Sequence, residues 1–182
     1  QIREIQMINS QYGWGITQDS RGIEHILRTE TGGRTWQDIT PPQPIDTQRT
    51  WFPATVEFFD SNQGWVHYNG TNLIWSTENG GISWSFTQLA DTSRSGSLLF
   101  GLSNSEAWLL QFLEGGMQKV ATALYKTEDG GASWVKLRDY STDSSILGFD
   151  KTDLIFINPQ YGWLTRFFRG VAAYLSLEIT ED

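Results

Sequence analysis

The residues best placed for chemistry lie in three octapeptides: Thr29-Glu30-Thr31-Gly32-Gly33-Arg34-Thr35-Trp36, Thr77-Glu78-Asn79-Gly80-Gly81-Ile82-Ser83-Trp84 and Thr127-Glu128-Asp129-Gly130-Gly131-Ala132-Ser133-Trp134. Carboxylates beside glycine turns are the raw material of metal ligation and of acid–base work. Glu30, Glu78 and Glu128 recur at one repeat position, however, which marks a structural element rather than a catalytic set. Turn physics accounts for the rest. Paired glycines supply positive φ. Short Asp, Asn, Thr and Ser side chains bond the backbone of their own turn, and the tryptophan anchors it. Asp129 is therefore read as scaffold in preference to a metal ligand or catalyst.

Other candidate chemistry is thinner. His25 and His67 each lack a second ligand at helical or hairpin spacing, so no zinc site is expected. No metal or cofactor of any other kind is expected either. Asp19, Asp60, Asp139 and Asp153 could serve a glycosidase, which needs two carboxylates across a cleft, but no spacing singles out a pair. Gly115-Gly116 and Gly130-Gly131 precede no helix and are turn glycines, not phosphate cradles. With no cysteine, disulfides, thiolate metal sites and cysteine nucleophiles are excluded.

The elements that position these residues are short strands. Trp36, Trp84 and Trp134 stand 48 and 50 residues apart, a period that marks a repeat architecture. Before each octapeptide come two or more apolar segments separated by turn residues, and after it comes one more, as in an antiparallel meander. A second tryptophan series, Trp14, Trp65, Trp108 and Trp163, opens the second strand of each unit. Three of its members follow a glycine; Ala107 precedes Trp108. The units span about 1–40, 54–88, 97–137 and 153–182, within one domain of 182 residues. Residues 41–53 hold four of the five prolines and are expected to form a strand-free connection. Ile179-Thr180-Glu181-Asp182 repeats the opening of the octapeptide. The reading therefore expects a longer protein, or completion by another copy.

Four-stranded units at this period predict an all-β propeller of antiparallel blades, three complete and three strands of a fourth. The octapeptide resembles the Asp-box, or BNR repeat, S/T-x-D-x-G-x-T/S-W. Thr127, Asp129, Gly131, Ser133 and Trp134 match it in full. Thr77, Asn79, Gly81, Ser83 and Trp84 match with Asn for Asp. Thr29, Gly33, Thr35 and Trp36 match, with Thr31 in the Asp position. Together with the Gly-Trp second strand, the chain looks most like the photosystem II assembly factor family and its relatives in non-photosynthetic bacteria. Sortilin and bacterial sialidases share the motif more distantly. The resemblance implies a scaffold role for the motif and an arginine-bearing binding face.

In such an architecture one face gathers the loops and the other the octapeptide hairpins. The loop face is expected to hold Arg21, Arg49, Arg94, Arg138, Arg166 and Arg169, with the aromatics Trp51, Phe52, Tyr140 and Phe167. Arginine and aromatic side chains on an acidic protein suit an acidic peptide or a glycan. The formal charge of −8 and the pI of about 4.7 leave no global footprint for nucleic acid, and no apolar run is long enough to cross a bilayer. The opening Gln1-Ile2-Arg3-Glu4 lacks the Arg-Ile-Pro type motif that a sialidase carries near its start. The sequence thus points to a non-catalytic binding or assembly module of the bacterial envelope or exterior, recognising protein or glycan. The alternative is part of a sialidase- or xyloglucanase-like glycoside hydrolase whose catalytic residues lie elsewhere.

Overall fold

The computed structural model describes residues 2–42, 53–94, 96–116, 119–139, 149–168 and 175–181. They form four antiparallel sheets in chain order, each a meander of sequential strands. Sheet 1 holds β1 (Ile2–Met7), β2 (Gly13–Gln18), β3 (Glu24–Thr29) and β4 (Gln37–Asp38); sheet 2 holds β5 (Ala54–Phe58), β6 (Gly64–Tyr68), β7 (Leu73–Thr77) and β8 (Ser85–Gln88). Sheet 3 holds β9 (Gly96–Gly101), β10 (Ala107–Gly116), β11 (Lys119–Thr127) and β12 (Val135–Asp139); sheet 4 holds β13 (Phe149–Phe156), β14 (Tyr161–Phe168) and β15 (Leu175–Glu181). No described residue is helical, and no helix is long and apolar enough to cross a membrane.

Sheets 2 and 3 bury both faces, so their middle strands are apolar in both phases of the two-residue period. In β6, Val66 and Tyr68 join Trp14, Ile16 and Ile26 in a core between sheets 1 and 2. Trp65, the alternate residue, joins Leu109, Ala123 and Tyr125 in a core between sheets 2 and 3. Trp108 and Leu110 repeat the arrangement against Leu154, Phe156 and Leu164 of sheet 4. Trp14, Trp65 and Trp108 are thus wedges between consecutive sheets, 2%, 0% and 1% exposed. Trp108 stacks on Phe156 with ring centroids 3.8 Å apart.

The exception at Ala107 has a steric cause. The residue before the tryptophan of each second strand pairs across the sheet with the residue six positions earlier: Met7 with Gly13, Phe58 with Gly64, Gly101 with Ala107 and Phe156 with Gly162. A Cβ at Gly64 or Gly162 would lie 2.4 Å from the facing phenyl ring. In sheets 1, 2 and 4 a large residue thus faces a glycine; in sheet 3 the pair is Gly101 with Ala107, so the added methyl at 107 faces a glycine in place of a bulky side chain. Gly101 must stay small because a Cβ there would come within 2.7 Å of the Trp65 ring. Gly101→Ala is expected to cost about 1–3 kcal/mol by overpacking, measured by urea unfolding. A loss below about 0.5 kcal/mol, the range of ordinary surface changes, would remove the steric explanation.

The fourth strand of sheet 1 is shorter than the sequence suggests. The Ile26 N–H donates to Thr40 Oγ1 (2.9 Å) in place of a backbone carbonyl, which ends the ladder after the Ile39 N–H to Ile26 bond. The β10–β11 hairpin is longer than expected and pairs out to Gly116 and Lys119, across an irregularity between Phe112 and Gly115.

Candidate binding surfaces and the hairpin slots

The three octapeptides form hairpins of one construction. The threonine hydroxyl at the first position accepts the N–H of the second glycine: Thr29 from Gly33 (2.9 Å), Thr77 from Gly81 (2.8 Å) and Thr127 from Gly131 (2.9 Å). The third position accepts the N–H of the seventh: Thr31 from Thr35 (2.9 Å), Asn79 from Ser83 (2.9 Å) and Asp129 from Ser133 (2.8 Å). An oxygen on a short side chain is all this position requires, which is why Thr, Asn and Asp replace one another there. Hydrogen bonds from Ser133, side chain first and then backbone, hold the Asp129 carboxyl below the usual range. The paired glycines all have positive φ, from 63° at Gly32 to 102° at Gly131.

Each hairpin is bonded to the first turn of its own sheet, through Gly32 to Gln11, Gly80 to Asn62 and Gly130 to Ser105. The second and third hairpins also seat in a slot on the preceding sheet. The Trp84 indole donates to Ile39 O (2.7 Å) while Gly81 packs on the Ile39 side chain. The Gly130 carbonyl accepts from both Gln63 Nε2 and Trp65 Nε1, each at 2.9 Å, and Thr87 donates to Gly131 O (2.9 Å). Accordingly Gly80, Gly81, Gly130 and Gly131 are buried, and Gly32 and Gly33 of the first hairpin are exposed.

The opposite edge gathers the turn 19–22, the turn 69–72 and the segment 89–94, whose Ser93 exchanges backbone bonds with Gly70 and Thr71. Here Arg21 is 72% exposed and pairs with Asp19 at 2.9 Å. Backbone N–H donation from Ile23 chiefly holds the Asp19 carboxyl low. Arg94 is exposed, with its N–H on Phe112 O (2.8 Å). Arg138 lies in β12 opposite Leu124 and lines a cavity between sheets 3 and 4 rather than the loop edge. Arg166 and Phe167 fall within β14, at the end far from the 157–160 turn. Arg49, Trp51, Phe52, Tyr140 and Arg169 lie outside the described residues. Arg21 borders sheet 1, Arg94 lies in the loop between sheets 2 and 3, and Arg138 stands in the outer strand of sheet 3, so the structure does not gather the three arginines with described side chains into one cluster.

Three polar groupings carry no local sequence signal. Tyr125 donates its hydroxyl to Asp91, and Lys136 Nζ lies 2.8 Å from the same carboxylate, which staples the loop after sheet 2 to sheet 3. Burial, with Asp91 beside it, pushes the Tyr125 hydroxyl up to about 12. The bond to Asp91 raises the Lys136 ammonium. Deeper, His67 is fully buried. Gln111 Nε2 donates to its Nε2 (3.0 Å), so Nδ1 carries the proton and donates to Ser97 Oγ (3.0 Å), which donates to Thr55 Oγ1 (2.9 Å). Burial pushes the imidazole down to about 4, so it stays neutral. The third grouping is Glu57 facing Gly101 between sheets 2 and 3. Burial pushes its carboxyl up to about 7, against one opposing bond from Gly101. Among the described residues no group of three or more His, Cys, Asp or Glu could hold a metal ion.

Glu57 gives a signed pH dependence. A folded pKa above the unfolded one contributes stability that is complete below about pH 4.5 and is lost as pH rises through about 7. Glu57→Gln should therefore gain on the wild type by about 2–3 kcal/mol between pH 4.5 and 8, read from urea midpoints. His67 tilts the parent protein the other way. Its depressed pKa withdraws stability as pH falls from about 6.5 towards 4, so the difference between variant and wild type is the quantity to follow. A pH-independent difference would show that Glu57 is solvated.

No protein-family model and no curated protein matches the chain. Solved structures do match, and with the sheet order above they define the class: the chain is an all-β propeller, with three complete four-stranded antiparallel blades and three strands of a fourth. A GH74 enzyme of Niastella koreensis matches over 99% of this chain and 30% of its own, at 15% identity and a TM-score of 0.62. A GH74 xyloglucanase of Xanthomonas campestris matches over 98% and 28%, at 15% identity and 0.61. YCF48 of Cyanidioschyzon merolae matches over 99% and 50%, at 14% identity and 0.56. The chain thus spans half or less of the structures it resembles, and at these identities the likeness speaks for the fold.

Proposed function

We propose that this chain is a non-catalytic binding or assembly module of the photosystem II assembly factor-like kind, built on Asp-box hairpins. It would recognise a protein or a glycan through its loop edge, in a bacterial envelope or secreted protein, with no role for nucleic acid or membrane insertion. One observation carries this reading: three described groups suited to catalysis are already engaged in holding the fold. Asp129 is taken up by its own turn, His67 is locked neutral between Gln111 and Ser97, and Asp91 is taken by Tyr125 and Lys136. Arg21 and Arg94, at the loop edge, stay exposed to a partner. The likeness to YCF48 over half of that chain fits the same reading.

Capture of a saturable protein or glycan partner on a glycan array or in a pull-down tests it. Binding should fall about tenfold or more on combining Arg21→Ala with Arg94→Ala, or Arg49→Ala with Trp51→Ala, while the thermal midpoint is kept. Retained binding in both double variants would move the interface elsewhere. The competing reading, part of a glycoside hydrolase, draws on the likeness to the two GH74 structures. Turnover of a chromogenic glycoside by the full-length protein would favour it. A concentration-dependent solution mass would add self-association to either reading.

A further inference from the structure

The second residue of each octapeptide is a glutamate, and two of the three are paired within their own unit. Residues two apart in a strand share a face. Glu30 accordingly meets Arg28 (2.9 Å), and Glu128 meets Lys126 (2.6 Å). Arg28 also donates to Ser61 O (3.2 Å), so its guanidinium spans a carboxylate and a neutral oxygen. In the second unit Ser76 stands at this place, and its side chain carries no charge to pair. Among the described residues Glu78 has neither ion pair nor hydrogen bond, and it is exposed. It borders a cleft of about 390 Å³ on the hairpin edge, lined also by Asn62, Gln63, Asn104, Ser105, Asp129 and Gly130. Asp129, held ionised by Ser133, brings a second negative charge. Gln63 is only 5% exposed. Its Nε2 donates to the Gly130 carbonyl (2.9 Å), which can only accept, so the amide orientation is settled and Oε1 is the atom left over. That oxygen accepts no hydrogen bond from a described residue. An acceptor on so buried a side chain calls for a donor. The side-chain amides of Asn62 and Asn104 are likewise uncommitted, and both residues are exposed.

We infer that this cleft takes an arginine side chain from a basic segment of a protein partner, which supplies to Glu78 from outside what Arg28 supplies to Glu30 from within. A guanidinium presents five N–H donors in one plane and no acceptor. Two of them suit the Glu78 carboxylate side by side. The others suit Gln63 Oε1 and the amide oxygens of Asn62 and Asn104. A lysine ammonium is a point charge with three donors and leaves more of these oxygens unbonded. A divalent cation is served worse still. The cleft offers it two carboxylates, and Asp129 already commits both of its oxygens to Ser133. No apolar side chain lines the cleft, so an aliphatic or aromatic anchor finds nothing to pack on. The net charge of −8 draws a basic segment towards the protein as a whole. The surface lies on the hairpin edge and stands independently of the reading given for the loop edge.

The probe is the peptide acetyl-Gly-Arg-Arg-Gly-amide, titrated into the protein and followed by NMR through the side-chain amide signals of Asn62, Gln63 and Asn104. Saturable shifts of all three signals are expected. Glu78→Gln should weaken the peptide about tenfold, the worth of one charge-assisted hydrogen bond. Glu30→Gln removes the same charge from a paired position and should leave the affinity unchanged. Both substitutions fall on exposed carboxylates, so the fold is kept. A peptide with citrulline in place of arginine, neutral but of nearly the same shape, should not bind. Equal weakening by the two substitutions would reduce the effect to net charge and overturn the assignment. Equal binding of the citrulline peptide, or no shift with the arginine peptide, would do the same. So would calcium chloride moving the same signals at a lower concentration than the peptide, because the cleft would then be a metal site.

Discussion

Trp65→Ala is expected to cost about 3–5 kcal/mol, the range for deleting a buried aromatic side chain. At this chain length that lowers the melting temperature by roughly 10 °C. Trp65 touches three structures at once. Its ring fills the core between sheets 2 and 3, abuts Gly101 of β9 and Gly131 of the third hairpin, and donates to the Gly130 carbonyl. Nothing nearby can take its place, because the two close neighbours are glycines whose own expansion would need left-handed backbone or fresh space. Trp65→Phe separates volume from hydrogen bond. It keeps most of the ring, and Gln63 still satisfies the carbonyl, so about 1–2 kcal/mol should be lost. Calorimetry or urea unfolding decides. If the phenylalanine variant falls as far as the alanine one, the indole N–H rather than the wedge holds the junction.

Gly131→Ala should lose about 2–4 kcal/mol, and Gly33→Ala at the same repeat position only about 1 kcal/mol. Both glycines have positive φ, 102° and 81°, so both substitutions carry the left-handed strain. They differ in what a Cβ would meet. At Gly131 it would lie 2.8 Å from Ser76 Cβ and from Trp65 Nε1; at Gly33 the nearest atom is 3.8 Å away, on Trp36. Gly81→Ala, with Ile39 at 2.6 Å, should resemble Gly131→Ala. Chemical denaturation of the three variants is a direct comparison. Equal losses at all three positions would mean that turn strain alone matters and that seating between sheets adds nothing.

The hairpins were legible in the sequence because their chemistry is local. Thr127 and Gly131, or Asp129 and Ser133, are four residues apart, and both bonds follow from residue type. The repeat then fixed the strand register, since one tryptophan opens each second strand. The Ala107 exception could have been resolved by looking six residues back to Gly101, where a glycine replaces the bulky residue that faces position 107 in the other units. What stayed hidden was everything that joins one unit to the next. The Gln63 and Trp65 bonds to Gly130 span more than sixty residues. The His67–Gln111 and Asp91–Tyr125 contacts span 44 and 34, with no motif at either end. Nor does the sequence say which way an arginine in an outer strand turns. Arg138, expected on the loop face, follows Leu137 in β12 and lines the cavity between sheets 3 and 4.

The seating of the second and third hairpins on the sheet before each has a consequence for how the chain is made. A newly emerged unit can close its own meander, but its outer strand is clamped only when the hairpin of the following unit leaves the ribosome. Fastening therefore trails synthesis by one repeat, as in a row of roof tiles where each course is held down by the next. Contacts between neighbouring repeats of this kind propagate order along a chain. Here the propagation has a direction, and at any moment the most recently finished unit is the one that is loose.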